Sequence, residues 1–323
     1  MINGRKKYMR ISSIDLGTNS VVLLIVDIDR AANLNQLYFE SHITRIGSQI
    51  DKTHIINPNA AETTLSTFQK YKKISEKYSV DHFLACSTSA LRDAINGDDF
   101  INRIYKETGI YPEIISGEEE GKFIYMAIKH EFPEFTNNLL AMDIGGGSTE
   151  LVYSKSKNIN LIKSLNIGAV RFTEKYVKNN PMTSDEKLKA ESTIMNMLPE
   201  LTIPEKSINA VGSGGTITTL QAVKLKINKR DHKKIHKSIL KIQDVRELLS
   251  LFNSLPLEKR KLLKGLSSKR ADIIPMGALI TLCIMQKYNL SELHISNRGL
   301  RWGMIYDYLA SYRKIEHHNA TYY

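Results

Sequence analysis

The chain has 323 residues, of which 42% are hydrophobic and 24% are charged, so it is a globular protein and not a disordered one. Its 45 Lys and Arg against 34 Asp and Glu give a net charge of +11, which favours encounters with polyanions without choosing among them. Two cysteines exclude a disulfide framework and a cysteine metal cluster, and no apolar run is long enough to span a membrane. We therefore expect a soluble, cytoplasmic protein with no membrane partner.

A strand, a tight turn and a second strand are predicted near the N-terminus, where residues 15–20 read DLGTNS. A near copy occurs 128 residues later, where residues 143–148 read DIGGGS between two β-rich segments. Glycines let a ligand approach the main chain closely, and successive N–H groups in such a turn form an anion-binding nest. The repeat predicts two related α/β halves, each with a hairpin that binds phosphate. A glycine-rich hairpin with solvated acids is the plain alternative.

The second copy is bracketed by two acids, Asp143 and Glu150. Carboxylates are hard oxygen ligands, so a phosphate and a Mg²⁺ ion could share this turn, with the metal offsetting the negative charge.

Two further segments join a strand to the start of a helix. Residues 81–89 run into Ser and Thr just before Arg92, which predicts either a phosphate contact at a helix N-terminus or ordinary capping. Residues 110–121 run into three consecutive glutamates. Capping and the helix dipole account for two of them but give no reason for Glu120, for which we weigh a catalytic role against a common helix-start acid.

The second half contains a third glycine turn at residues 208–216, followed by a helix. Residues 224–241 hold eight Lys or Arg and one acid, which indicates either a solvated face or a track for a polyanion. His232 and His236 are four residues apart but lack a third ligand, so we do not assign them to a metal. A last helix is predicted to end near Tyr312, followed by a disordered tail at 313–323.

Seven motifs occur in the order found in one family, and together they make the chain resemble the exopolyphosphatase and guanosine pentaphosphate phosphohydrolase family. That family lies within the actin, sugar kinase and heat-shock chaperone superfold. The motifs lie at 15–20, 87–92, 115–121, 143–150, 212–216, 270–273 and 296–301. The resemblance implies an α/β protein of two actin-like (ribonuclease H-like) domains with an interdomain cleft. We place the domains at 1–126 and 127–312, with the last helix able to pack back on the first domain.

The resemblance also implies roles for individual residues. Glu120 matches the base that activates water, and the metal positions are Asp143, Glu150 and Asp15. The phosphate-binding positions are Asn19, Ser20, Arg92, Gly145, Gly146, Gly147, Ser148, Ser213, Gly214, Gly215 and Thr216. Val22 stands where family members often carry Arg or His. The chain resembles the short, two-domain form, for which a homodimer is the expectation.

Phosphoanhydride hydrolysis needs charge neutralisation, an in-line water and a base, and these residues suit it. The predicted activity is a Mg²⁺-dependent exopolyphosphatase acting on inorganic polyphosphate, with no specific nucleic-acid partner. The alternatives are removal of the 5′ γ-phosphate of guanosine pentaphosphate, a non-enzymatic polyanion- or nucleotide-binding sensor or filament former, and a sugar or acetate kinase. The kinase is disfavoured because no acceptor-substrate signature is found.

Overall fold

The computed structural model describes residues 9–29, 31–135, 137–201, 208–227 and 232–320, without the side chains of 232 and 313–320. Within these residues the chain forms two compact units. The first comprises Met1–Ser116 and Leu300–Tyr323, and the second is Gly117–Gly299. Among the helices that the structure describes, none combines the length and the apolar character that a membrane crossing requires.

The secondary structure alternates strands and helices in both units. The strands are β1 (Met9–Leu16), β2 (Ser20–Ile28), β3 (Leu34–Ile43), β4 (His82–Ser87), β5 (Glu113–Ile114), β6 (Asn138–Ile144), β7 (Thr149–Lys155), β8 (Asn158–Leu165), β9 (Asn209–Ser213), β10 (Ile239–Lys241) and β11 (Glu292–Ile295). The helices are α1 (Ile50–Thr53), α2 (Pro58–Lys77), α3 (Ser89–Arg92), α4 (Gly97–Thr108), α5 (Gly117–Glu131), α6 (Ala169–Tyr176), α7 (Ser184–Met197), α8 (Gly214–Lys224), α9 (His232–Ile235), α10 (Ile242–Ser254), α11 (Leu257–Arg260), α12 (Ile274–Lys287) and α13 (Leu300–Ala320). Short 3-10 turns lie at Pro133–Phe135 and Ser268–Arg270.

The two sheets have the same topology. The first has the strand order β3-β2-β1-β4-β5, and the second has β10-β11-β9-β6-β7-β8. Each begins with an antiparallel meander whose first strand also pairs in parallel with a later strand. The order β8-β7-β6-β9-β11 of the second sheet corresponds strand by strand to the order β3-β2-β1-β4-β5 of the first. Strand β10 is an additional strand at the edge of the second sheet. The duplication predicted from the two Asp-Gly turns is therefore present in the strand order.

The register of the two hairpins is also the same. Asp15 pairs with Val22 across the first hairpin, and Asp143 pairs with Glu150 across the second. A hydrogen bond of 3.0 Å closes each turn, from Gly17 N to the carbonyl of residue 20 and from Gly145 N to the carbonyl of residue 148. Val22 is thus the structural counterpart of Glu150, so an apolar side chain stands where the second unit has an acid.

Each unit has its own apolar core. In the first, β1 and β2 are buried along nearly their whole length and pack with α2 and α4. In the second, helix α12 is buried from Ile274 to Met285 and is part of the core. Helix α5 contacts β6, β7 and β8, whereas α13 contacts β1. Residues 117–126 therefore belong to the second unit, ten residues ahead of the boundary at 126/127 predicted from the sequence.

Two elements differ from the prediction. The strand predicted over 110–115 is only two residues long, because it pairs with β4 at just two positions. Helix α13 continues to Ala320, so residues 313–320 of the predicted tail are helical. The segment has no Gly or Pro and begins with Arg, Lys, Ile and Glu, which do not end a helix. Residues 321–323, and 228–231 of the basic run, lie outside the described residues.

A buried arginine ties several loops of the second unit together. The side chain of Arg260 is 1% exposed, and burial lowers the pKa of its guanidinium. It donates to the carbonyl oxygens of Phe252, Ala271 and Leu255, each at 2.9 Å, and to Asn180 Oδ1 at 3.2 Å. Backbone carbonyls in the last turn of α10 and in the segments after it thus obtain their hydrogen bonds from one side chain.

Replacing Arg260 by Met is expected to lower the free energy of unfolding by about 3–5 kcal/mol, because three buried carbonyls lose their donors. Denaturant unfolding of Arg260→Met beside the exposed-neighbour control Lys259→Met measures the difference. Equal midpoints for the two variants would show that water replaces the guanidinium without loss.

Candidate functional site

The glycine turn of the second unit, residues 143–148, is held from one side by the start of α6. Its carbonyl oxygens accept hydrogen bonds from Ala169 N to Gly145 (3.0 Å), Val170 N and Arg171 N to Gly146 (2.8 and 3.1 Å), and Arg171 Nε to Gly147 (2.7 Å). The amides of residues 146–148 donate to no acceptor among the described residues. The turn therefore has occupied carbonyls and available N–H groups, which is the arrangement of an anion-binding nest.

The approach of α6 to this turn depends on Gly168. A Cβ at this position would lie 2.2 Å from the carbonyl oxygen of Gly146 and 2.4 Å from the carbonyl carbon of Gly147. No side chain fits there, so Gly168 allows the helix start to fix the turn.

Four polar side chains form a row across the sheet beside the turn. They occupy directly paired positions on β8, β7, β6 and β9, namely Ser164, Glu150, Asp143 and Ser213. Ser164 Oγ donates to Glu150 Oε1 at 2.7 Å, and Ser213 Oγ donates to Asp143 Oδ2 at 2.6 Å. Paired positions have Cβ atoms about 5 Å apart, so the two serines orient two neighbouring carboxylates on one face of the sheet.

The N-terminal end of α8 lies against the same acid. Gly214 has a φ of +88°, and a Cβ there would lie 2.3 Å from Asp143 Oδ1. Only glycine combines that left-handed conformation with so close an approach. Asp143 therefore lies at the N-terminus of an eleven-residue helix, where the helix dipole and free amides also favour a bound anion.

An arginine side chain lies at this helix N-terminus. A Cβ on Gly215 would be 2.2 Å from Arg270 Nη1 and 2.7 Å from Nη2, so the guanidinium packs directly on the helix start. Burial lowers the pKa of Arg270. Among the described residues its guanidinium makes no hydrogen bond or ion pair, and a buried cation of this kind normally has an anionic partner. The 270–273 motif contains Arg270, but the sequence gives it no role.

Glu120 lies on the helix that covers the face of this polar row. The next residue, Gly121, is so close to the sheet that a Cβ would lie 2.7 Å from Ile162 and 3.4 Å from Val152. These residues are two positions from Ser164 and Glu150 on the same strands, and so project from the same face. Because α5 ends at Glu131 and β6 begins at Asn138, the chain reverses and the N-terminal end of α5 lies toward Asp143. Glu120 itself is 7% exposed.

The glycine turn of the first unit, residues 15–20, has the same construction. The carbonyl of Thr18 accepts from Gly47 N at 2.9 Å, and that of Asn19 accepts from Thr44 N and Arg45 N at 3.1 Å. The amides of residues 18 and 19 donate to no described acceptor. The side chain of Asn19 is 5% exposed, and neither its nitrogen nor its oxygen has a hydrogen-bond partner among the described residues. Such a buried amide is expected to bind a ligand or ordered water.

The acid of this first turn is engaged by the C-terminal helix. Arg301 Nη1 donates to Asp15 Oδ2 at 3.0 Å, and the guanidinium carbon lies 5.6 Å from the ring centre of Phe39. Burial raises the pKa of Asp15, while Arg301 lowers it to a smaller extent. Asp15 thus has an internal countercharge, and the metal role expected for it depends on its other oxygen.

Arg92 and Ser20 lie in the same unit. Arg92 is the last residue of the four-residue helix α3, and its Nη1 donates to the carbonyl of Ile115 at 2.7 Å. Ser20 opens β2, and its carbonyl closes the turn. Their expected phosphate contacts remain predictions.

The residues of the second unit fit a Mg²⁺ ion in their chemistry. Asp143 and Glu150 offer carboxylate oxygens from paired positions, and Mg²⁺ is commonly held by one or two carboxylates with water and substrate phosphate as the other ligands. Within the described part of the chain, no group of three or more His, Cys, Asp or Glu side chains lies together as a metal cluster. The protein therefore offers a two-carboxylate site and not a closed cage.

The site residues predicted in the second unit come together around one turn and one helix start: residues 143–150 and 213–216, with α5 alongside. The sequence did not identify Ser164, Gly168, Arg171, Arg270 or Arg301 as contributors. Ser164 and Gly168 carry no motif, and only the register of β8 and the approach of α6 reveal them.

The fold and the site define an α/β protein of the actin-like class, with an Asp-Gly turn in each unit whose amides are available to an anion. The chain belongs to the Ppx/GppA phosphatase family, whose family model matches residues 24–312. This confirms both the family resemblance and the fold class drawn from the seven motifs.

Among known proteins, the chain is 34% identical over 305 residues to a bifunctional 3-dehydroquinate synthase/phosphatase of Fusobacterium nucleatum. The match covers 91% of this chain but 46% of that protein, so the chain spans about half of that relative's length. It is 27% identical over 301 residues to exopolyphosphatase 1 of Mycobacterium tuberculosis, covering 92% of this chain and 87% of the relative.

Solved structures show the same relationship. A Ppx/GppA family member of Aquifex aeolicus matches with a TM-score of 0.77 at 29% identity, covering 94% of this chain and 98% of that one. An exopolyphosphatase of Cytophaga hutchinsonii matches with a TM-score of 0.84 at 26% identity, over 94% and 98% of the two chains.

Proposed function

We propose that this protein is an exopolyphosphatase that hydrolyses the terminal phosphoanhydride bond of inorganic polyphosphate, with Mg²⁺ as its cofactor. The observation that carries the proposal is the convergence in the second unit of the paired acids Asp143 and Glu150, the available amides of residues 146–148 and the unpaired guanidinium of Arg270. Donors for phosphate and ligands for a metal ion lie together.

Phosphate recognition follows from the donor set. The turn amides and the N-terminus of α8 direct N–H groups and dipoles at an anion, at no reorganisation cost during the reaction. Arg270 adds a positive charge, which is worth more in a buried site than in water.

Asp143 and Glu150 are the residues that would hold Mg²⁺. When bound, the ion supplies neutralisation of the charge on the transferred phosphoryl group. Ser213 and Ser164 each donate to one of these carboxylates. Each serine thereby orients one of the two acids, as residues that hydrogen-bond metal ligands commonly do.

Glu120 is proposed to take the proton of the attacking water. Phosphoryl transfer asks for an oriented nucleophile more than for covalent chemistry, and a carboxylate on a helix fixed to the sheet provides that orientation. The close packing of Gly121 on Ile162 and Val152 holds the helix in place.

Polyphosphate is favoured over guanosine pentaphosphate on two grounds. Relatives that match most of this chain are named exopolyphosphatases, and the net charge of +11 suits a long polyanion.

Phosphate release from polyphosphate and from guanosine pentaphosphate, measured side by side with and without Mg²⁺, tests the proposal. We expect Mg²⁺-dependent release and a kcat/KM for polyphosphate at least about tenfold above that for the nucleotide. The reverse preference would assign the nucleotide as substrate, and activity unchanged by removal of divalent ions would exclude the metal role.

A further inference from the structure

A charged cluster lies in the second unit at the far end of the helix that bears Glu120. Glu131, the last residue of α5, has a side chain only 8% exposed, and its Oε1 is paired with Arg298 Nη1. Its Oε2 lies 3.1 Å from His236 Nε2. The site described above uses none of these three residues.

Arg298 belongs to the turn that leaves β11, residues 296–299, which we call the exit turn. Ser296 Oγ donates to the carbonyl of Arg298 at 2.7 Å and accepts from Arg298 N at 3.1 Å. Asn297 N donates to His236 Nδ1 at 3.4 Å. In the tautomer in which Nδ1 accepts this hydrogen bond, the Nε2–H group of His236 donates a hydrogen bond to Glu131 Oε2. The cluster therefore holds the exit turn through both a side chain and the main chain.

The exit turn reaches Asp143, one of the two acids proposed to hold the metal. A Cβ on Gly299 would lie 3.2 Å from Asp143 Oδ2 and 3.4 Å from Ser213 Oγ. The main chain at Gly299 therefore packs directly against the carboxylate of Asp143 and the hydroxyl of Ser213. A shift of this main-chain segment by about 1 Å would change the space available to the Asp143 carboxylate, and misplacements of that size are costly in catalysis.

We propose that Glu131 and Arg298 are positioning residues that hold the exit turn against Asp143 and Ser213 and thereby fix the orientation of the Asp143 carboxylate. The inference rests on the proposed function for its kinetic consequence, but the placement of the turn is a property of the fold alone. A buried ion pair is in general weak evidence for stability and is better suited to fixing one geometry. Here the pair joins the end of α5 to the turn that touches Asp143.

The test compares Arg298→Gln, Glu131→Gln, their double variant and the conservative Arg298→Lys. Arg103→Gln is the matched control, since it removes an exposed Arg–Glu pair with Glu62 in the first unit. Steady-state hydrolysis of polyphosphate gives kcat and KM, and thermal unfolding gives the stability of each variant. Acrylamide quenching of Trp302, the single tryptophan of the chain, reports on the exit turn without any substrate, because this buried residue follows Gly299 by three positions.

We expect Arg298→Gln and Glu131→Gln each to lower kcat about tenfold with KM nearly unchanged, and the double variant to be no worse than either, as for residues that act as a unit. Quenching of Trp302 should increase in both single variants and in the double variant. Arg298→Lys should recover part of the lost kcat, and Arg103→Gln should have the kcat and the quenching of the wild type. The proposal would be overturned if Arg298→Gln had the kcat and the quenching of the wild type. It would also be overturned if kcat fell only in proportion to the loss of thermal stability and Arg298→Lys did not recover it. If the wild type does not hydrolyse polyphosphate, the proposed function fails, and unchanged quenching would then separately refute the positioning of the turn.

Discussion

Glu120→Gln is expected to reduce the turnover of polyphosphate by about a thousandfold, within the range that a positioned base contributes, while the protein remains folded. Gln keeps the size of the side chain and removes its ability to take a proton from water. The helix should stay in place because Gly121 packs directly on β7 and β8. Single-turnover phosphate release and the unfolding midpoint are the two measurements.

The neighbouring helix-start acid provides the control. Glu118 is largely exposed and paired with Lys122 one turn later, so Glu118→Gln should leave kcat within about twofold of the wild type, since exposed pairs of this kind contribute little. Hydrolysis retained in Glu120→Gln, or lost equally in both variants, would move the base to another residue.

Asp143→Asn is the second substitution with a large expected effect. The amide oxygen of Asn can still accept from Ser213, so the row of polar side chains is preserved. The negative charge proposed to hold Mg²⁺ at the turn is removed, and we expect a loss of about 4 kcal/mol in transition-state stabilisation, close to a thousandfold in rate.

Dependence on the metal distinguishes this effect from misfolding. The remaining activity of Asp143→Asn should no longer increase with Mg²⁺ concentration, and binding of Mn²⁺ measured by electron paramagnetic resonance should weaken. Asp307→Asn, which removes an exposed acid on α13, should behave as the wild type in both assays. Turnover of Asp143→Asn equal to that of the wild type would remove Asp143 from the metal site.

The sequence predicts the parts of this molecule that depend on neighbouring residues. An Asp followed by Gly between two apolar runs determines a strand, a turn and a strand within a dozen positions, and two such copies imply the duplicated sheets. The N-terminal cap of α7 is of the same local kind, since Thr183 and Glu186 form a reciprocal pair three residues apart. The approach of α8 to its glycine turn is equally local.

Contacts between distant residues are not accessible in this way. Asp15 and Arg301 are 286 positions apart, and Glu131 and Arg298 are 167 apart. Neither pairing leaves a periodic pattern in a single sequence. Ser164 becomes part of the site only because β8 pairs with β7 in one register, and a shift of one residue would turn its side chain to the other face. Arg270 was visible in a motif, but its position on Gly215 follows from the packing of α12 against α8.

The equal register of the two hairpins has a consequence for how negative charge is divided between the halves of the protein. One hairpin has an acid facing an acid, while its counterpart has an acid facing Val22 and neutralised by Arg301. Under the proposed function, a divalent ion is therefore expected at the later copy, where two carboxylates lie at paired positions. The single acid of the earlier copy is already neutralised, so one carboxylate more or less at an equivalent position separates the electrostatics of two turns of the same register.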